Sequence, residues 1–195
     1  MTKPIWVGGI VLVVAVTFGL SVPQTPIYAG SDEAALVASK EEQSKSKRVK
    51  AEAFLSSDRL PSGGTCRVAI VMDVSRNWHI RGVESKAHAT TLKLVNKPNK
   101  SIQLKDVKFT KSHFMVVAGE PKQPVLDGRV YVTGTLEIPE GVSGPQELEL
   151  IIHYQACDKE VCEFPMDLKL TGKIDVAPPG TVTNARNAVL FESLQ

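Results

Sequence analysis

Two of the three cysteines in this sequence, Cys157 and Cys162, flank the charged tetrapeptide Asp158-Lys159-Glu160-Val161. Thiols so spaced can close a structural disulfide, exchange electrons through a reversible one, or bind a soft metal. Closing so short a loop stabilises a fold by only about 2 kcal/mol in the chain-entropy model, so a static staple contributes little. A strained or exposed bridge is more easily reduced, which suits exchange. His153 could join Cys157 and Cys162 around copper or zinc, but the sequence offers no convincing fourth ligand at zinc-type spacing. Asp158 and Glu160 disfavour a neighbouring thiolate, whereas Lys159 favours one. Taken alone, the chemistry of the pair leaves a structural bridge and an exchange site both open.

The elements that hold the pair follow from alternation. Leu148, Leu150, Ile152, Tyr154 and Ala156 share one face of a strand, and Glu147, Glu149, His153, Gln155 and Cys157 share the other. Ile151 is the one apolar residue out of step. Downstream, Cys162, Phe164, Met166, Leu168 and Leu170 alternate with Glu163, Pro165, Asp167, Lys169 and Thr171. The two runs and their short turn read as a β-hairpin with a cysteine at each shoulder. Matching the apolar faces sets Ala156 opposite Cys162, Tyr154 opposite Phe164 and Ile152 opposite Met166. That register predicts the cysteines on opposite faces of the ladder, where a bridge requires distortion. A mobile turn at Asp158–Val161 would leave Cys162 the more reachable sulfur.

The remainder is consistent with an exported β protein. Lys3 precedes an uncharged, mostly apolar run, Ile5 to Val22, and a polar exit ending Ile27-Tyr28-Ala29. Residues 1–29 are therefore expected to be a signal peptide or a membrane anchor, although Tyr28 is bulky for a cleavage site. Both place the chain outside the cytoplasm, where disulfides persist. Residues 30–48 are charged and Ser-rich and read as a flexible linker. Short alternating runs from Val49 onward, separated by Gly and Pro, predict an all-β, immunoglobulin-like antiparallel sandwich over 49–176. Residues 177–195 open with Pro178-Pro179-Gly180 and read as a loose C-terminal tail with a short terminal helix. The chain has 195 residues and a formal charge of +2, which falls to +1 without Lys3. Its basic residues are scattered without aromatic interleaving, so nucleic acid is not an expected partner. No Ser-His-Asp order or phosphate-binding loop stands out, and the reading calls for no cofactor and no metal.

Cys66 shares an apolar face with Val68, Ile70, Met72 and Val74 and is expected to be a small buried hydrophobe. The order Cys66, Trp78, Cys157 imitates the immunoglobulin Cys…Trp…Cys pattern. Three features count against that bridge: Tyr154 lies three positions before Cys157 instead of two, the two cysteines are far apart in the chain, and parity turns Cys66 inward and Cys157 outward.

The run Tyr154-Gln155-Ala156-Cys157, followed by Cys162 and Pro165, resembles the active-site hairpin of the extracytoplasmic N-terminal domain of the thiol:disulfide interchange protein DsbD. Pro61-Ser62-Gly63-Gly64-Thr65, Asn77-Trp78-His79-Ile80 and Leu136-Glu137-Ile138-Pro139 occur in the order that family shows, and the similarity extends over most of 49–176. Glu163-Phe164 departs from the proline run that close relatives carry after the second cysteine. The resemblance implies a periplasmic protein-disulfide reductase in which Cys157 and Cys162 pass electrons to thioredoxin-like proteins. Such partners correct wrong disulfides or mature cytochrome c, and a membrane donor of DsbD type supplies the electrons. It implies that Cys162 meets the partner and that a capping loop near Lys111–Gly119 shields the pair, with Phe114 or Met115 as the shield. Tyr154 and His79 are expected in supporting roles. The alternative is a secreted sandwich that binds partners and carries a static disulfide.

Overall fold

The structure, a computed structural model, describes residues 35–37, 46–98, 101–116 and 121–194. The expected export segment, residues 1–29, lies outside them. The strands run β1 Ala35–Val37, β2 Val49–Leu55, β3 Leu60–Pro61, β4 Thr65–Val74, β5 His79–Arg81, β6 Thr91–Lys97 and β7 Gln103–Phe109. They continue as β8 His113–Met115, β9 Gln123–Asp127, β10 Arg129–Glu137, β11 Gly144–Tyr154, β12 Ala156–Cys157 and β13 Met166–Ala177. A six-residue helix, α1 Ala188–Ser193, follows.

Period-two patterning decides which residues meet. In β4, Cys66, Val68, Ile70, Met72 and Val74 point inward, and β11 buries Leu148, Leu150, Ile152 and Tyr154 in the same way. The larger sheet has the order β6-β11-β13-β1-β2-β4-β10-β7, with β3 pairing parallel to the end of β13. Both halves of that order send their apolar residues into one core, so the fold is an all-β sandwich. A second sheet, β12-β5-β9-β8, is antiparallel throughout. Ile80, Leu126 and Ala156 on its back face join the core. Full burial of an Ile or Leu side chain contributes roughly 1.5–3 kcal/mol, enough to anchor so short a sheet.

The hairpin register differs from the expected one. Tyr154 faces Met166 and Ile152 faces Leu168, while Cys157 faces Cys162 across an isolated bridge. The ladder to β13 ends at Tyr154, and beyond Gln155 the chain leaves the larger sheet to pair with β5. Tyr154, Gln155, Ala156 and Cys157 are consequently buried in succession, which one uninterrupted half-buried strand cannot do. The step at Gln155 turns Cys157 inward, and the two pairings are offset by one residue. Phe164, expected on the apolar face, is 93% exposed.

Three further segments depart from the sequence reading. Residues 30–48 are not linker throughout, because Ala35–Val37 forms β1 between β2 and β13 with Leu36 buried. One apolar cluster, Ala34-Ala35-Leu36-Val37-Ala38, was hidden by the charged composition around it. β9 was not expected, because Pro124 suggested a turn; its carbonyl nevertheless accepts the Gly82 amide, so the strand keeps an acceptor there. The tail is tied down: Arg186 donates to the Ser56 carbonyl, Asn184 engages Asp58, and buried Phe191 lies against the Arg67 guanidinium.

Cys66 is buried and unpaired, and its sulfur lies 3.2 Å from the Ser57 hydroxyl. Because Cys66 is 2% exposed and β10 pairs with it through Leu136, alkylation in native buffer should leave it unmodified until denaturant opens the sandwich. Rapid labelling without denaturant, read by peptide mass, contradicts this placement.

Candidate functional site

The site occupies the front face of the second sheet. Residues directly opposite in an antiparallel pair share a face, and next-but-one residues along a strand do too. The register therefore sets Cys162, Cys157, His79 and Asp127 in one row across four chain segments. Arg81, Val125, His113 and Met115 lie on the same face.

Cys157 and Cys162 form a disulfide with a Cα–Cα separation of 4.0 Å. Glu163 donates to the Ala156 carbonyl and Asp158 to the Val161 carbonyl, so the cysteines occupy the narrow, non-hydrogen-bonded position where cross-strand side chains approach closest. That pairing is why the sulfurs meet on one face. The turn is ordered by its own side chain: Asp158 Oδ1 accepts the amides of Glu160 and Val161, each at 2.8 Å. Those two donors hold the Asp158 carboxyl below its usual range, and the turn is not the loose connection expected.

The two sulfurs are unequal. Cys157 is 0% exposed and packs with Val125, whereas Cys162 is half-buried. Arg81, itself buried, directs Nη2 to within 3.9 Å of Cys162 Sγ. Its Nε donates to Gln155 Oε1 at 3.3 Å, and its amide donates to the Gln155 carbonyl. Gln155 Nε2 in turn donates to the Glu163 carbonyl, linking both sides of the bridge. Gly82 makes this possible, because a Cβ there would come within 3.0 Å of the Pro124 backbone. A cation beside a thiol favours its ionised form.

Of the two expected shields, the structure places one at the pair. Met115 packs against the cluster of Val125, Cys157 and Cys162. Phe114 faces Pro124 on the opposite side of β8 and is 66% exposed, so strand parity excludes it from that role. Residues 117–119 of the expected cap lie outside the described residues.

His79 is buried beside Cys157 in the ladder, and burial holds its imidazole below the usual value. Tyr154 serves the core: its hydroxyl meets Ser46 Oγ at 2.6 Å and Met166 Sδ at 2.8 Å, and burial pushes its pKa to about 12. His153 is exposed and pairs with Asp167 at 2.7 Å, so it is not gathered with the cysteines. Among the described residues, no group of three or more His, Cys, Asp or Glu side chains is arranged to hold a metal. A cleft of about 620 Å³ opens beside the pair, between Trp78, His79, Met115, Asp127 and the Asp158–Glu160 turn. Arg48 stacks on Trp78 at 4.0 Å and pairs with Glu163 at 2.9 Å, fixing one rim.

Arg81, Gln155 and Asp127 were not foreseen. The signal for Arg81 lay in His79-Ile80-Arg81, where two polar residues flank one apolar residue at strand spacing. Nothing local could tell that the polar side of this strand is buried.

By sequence, no protein-family model and no curated protein matches the chain. By structure, it is similar to the N-terminal periplasmic domain of ScsB from Proteus mirabilis, with a TM-score of 0.53 and 12% identity. That match covers 84% of this chain and 57% of the ScsB domain, so the chain spans little more than half its length. The reduced DsbD N-terminal domain of Neisseria meningitidis gives a TM-score of 0.41 at 18% identity, covering 73% of this chain and 93% of that one. The GAE domain of GGA2p from Saccharomyces cerevisiae gives 0.38 at 13%, covering 65% and 89%. The ScsB match shows a shared fold, and the two lower scores carry no argument. Among the described residues, no helix is long and apolar enough to cross a membrane.

Proposed function

We propose that this protein is an extracytoplasmic thiol:disulfide exchange module, a protein-disulfide reductase in which Cys162 meets the partner and Cys157 resolves the complex. The observation that carries this reading is the inequality of the sulfurs: one fully buried, the other half-buried with a guanidinium 3.9 Å away. A staple has no use for that arrangement. The bridge joins residues only five apart in the chain, so it removes little entropy from the unfolded state, about 2 kcal/mol. In the reduced protein, Cys162 thiolate attacks a partner disulfide, forming a mixed disulfide and releasing one partner thiolate. Cys157 then attacks Cys162 Sγ, restoring the intramolecular bridge and releasing the second partner sulfur. Two electrons pass from this protein to its partner. The motif around Tyr154-Gln155-Ala156-Cys157 supports thioredoxin-like partners and a membrane donor of DsbD type.

Equilibration with defined thiol buffers, followed by mass-resolved alkylation, tests the reading. An exchange site is expected to have a midpoint above about −300 mV. A midpoint below that value assigns the bridge to structure.

A further inference from the structure

The row Cys162–Cys157–His79–Asp127 places an imidazole beside the resolving sulfur. Directly opposed side chains have Cβ atoms about 4.5–5.5 Å apart, which brings the ring of His79 within reach of the Cys157 sulfur. His79 is 3% exposed, and its Nε2 has no hydrogen-bond partner among the described residues. A buried ring nitrogen without a partner costs free energy in the oxidised state. The disulfide sulfur offers it no proton, whereas a reduced Cys157 would supply an S–H at that position.

We propose that His79 is the proton acceptor for Cys157 in the resolving step. The inference rests on the exchange reading and deepens it. Once Cys162 is joined to the partner, Cys157 S–H transfers its proton to His79 Nε2 as its sulfur attacks Cys162 Sγ. The Cys157–Cys162 bond forms, and the bond between Cys162 and the partner breaks. The electron pair leaves on the partner's sulfur, and the imidazolium returns its proton to that thiolate or to the cleft water. Burial keeps His79 neutral near pH 7 and so able to accept. Asp127 and Asp158 favour the imidazolium that forms, while Arg81 and His113 oppose it. Lys159 and Glu160 line the same cleft. A fully buried thiol has no route to solvent of its own, so a local acceptor answers a need that the half-buried Cys162 does not share.

The test uses the reduced protein and dithiobis(nitrobenzoate), an aryl disulfide that releases one coloured thiolate when Cys162 attacks and a second when Cys157 resolves. In His79→Gln the first phase should keep its rate, while the second falls at least about tenfold near pH 7. The unmodified second phase should rise through the imidazole titration and level off, whereas His79→Gln should rise steadily toward alkaline pH, where the thiol ionises unaided. Asp127→Asn retains the base and should move the inflection to lower pH, which keeps the inference testable if His79→Gln folds poorly. A second phase of unchanged rate and pH profile in His79→Gln overturns the assignment. Equal slowing of both phases also overturns it and leaves His79 a packing residue. If the unmodified protein releases no coloured thiolate at all, the exchange reading falls and this inference with it.

Discussion

Replacing Cys157 with Ser should turn the protein into a trap: mixed with an oxidised thioredoxin-like partner, Cys157→Ser accumulates a covalent complex through Cys162. Cys162→Ser should trap little, and the double Ser variant none. The asymmetry follows from burial, because Cys157 lies beneath Val125 and Met115 while Cys162 is half-buried at the end of the turn. A mobile turn was the reason for this order at the level of sequence. The structure substitutes another, because Asp158 orders the turn, and what distinguishes the sulfurs is the depth of the strands carrying them. The variants should remain folded. The bridge contributes at most about 2 kcal/mol of loop entropy, and the β11–β13 ladder is intact without it. A buried Ser hydroxyl costs about 1–3 kcal/mol if unpaired, but Cys157 lies outside the main core cluster. Non-reducing gels give the readout. Equal trapping by both single variants defeats the division of roles, and trapping by neither defeats exchange.

The sandwich was legible because its long strands β2, β4, β10, β11 and β13 follow the period-two rule over seven or more residues, as Cys66 to Val74 do. The cysteine pair was legible from spacing and from its flanking motif. What escaped the sequence lies in the small sheet, where alternation has no length over which to declare itself. β12 has two residues and β5 and β8 three each, so parity carried over from β11 put Cys157 on the wrong face. The correction comes from the step at Gln155, a pairing choice made by β5 from far upstream in the chain. The choice between Phe114 and Met115 as the shield stayed open for the same want of length: which side of β8 faces the sulfurs depends on its register with β9.

Arg81 is the residue whose removal should most alter the chemistry of Cys162 without removing a sulfur. Its Nη2 lies 3.9 Å from Cys162 Sγ, and its Nε and amide are held by Gln155, so the charge is aimed at the sulfur by a fixed support. Opposite charges at this distance shift a thiol's ionisation by roughly one to three pH units, and partial burial limits screening by salt. Taking the middle of that range, Arg81→Gln lowers the thiolate fraction by up to about a hundredfold at pH below the parent thiol's ionisation. A more basic thiolate is also the better nucleophile, with a Brønsted coefficient of about 0.4–0.5, and this recovers about tenfold. The net expectation is an attack rate up to about tenfold lower below the parent thiol's ionisation and nearly unchanged or higher at alkaline pH. The potential should move only where the pH exceeds the parent thiol's ionisation. There Arg81 stabilises the reduced form through the thiolate, so its loss favours the disulfide and lowers the midpoint, by about 30 mV for each tenfold change in the equilibrium constant. Arg81→Lys keeps a charge but not the planar fork that Gln155 holds, and should restore part of both effects. Iodoacetamide alkylation of Cys162 across pH, in a Cys157→Ser background, reads the ionisation directly. If the alkylation profile of Arg81→Gln matches that of the parent while the melting temperature falls, Arg81 supports the small sheet and leaves the thiolate to other groups.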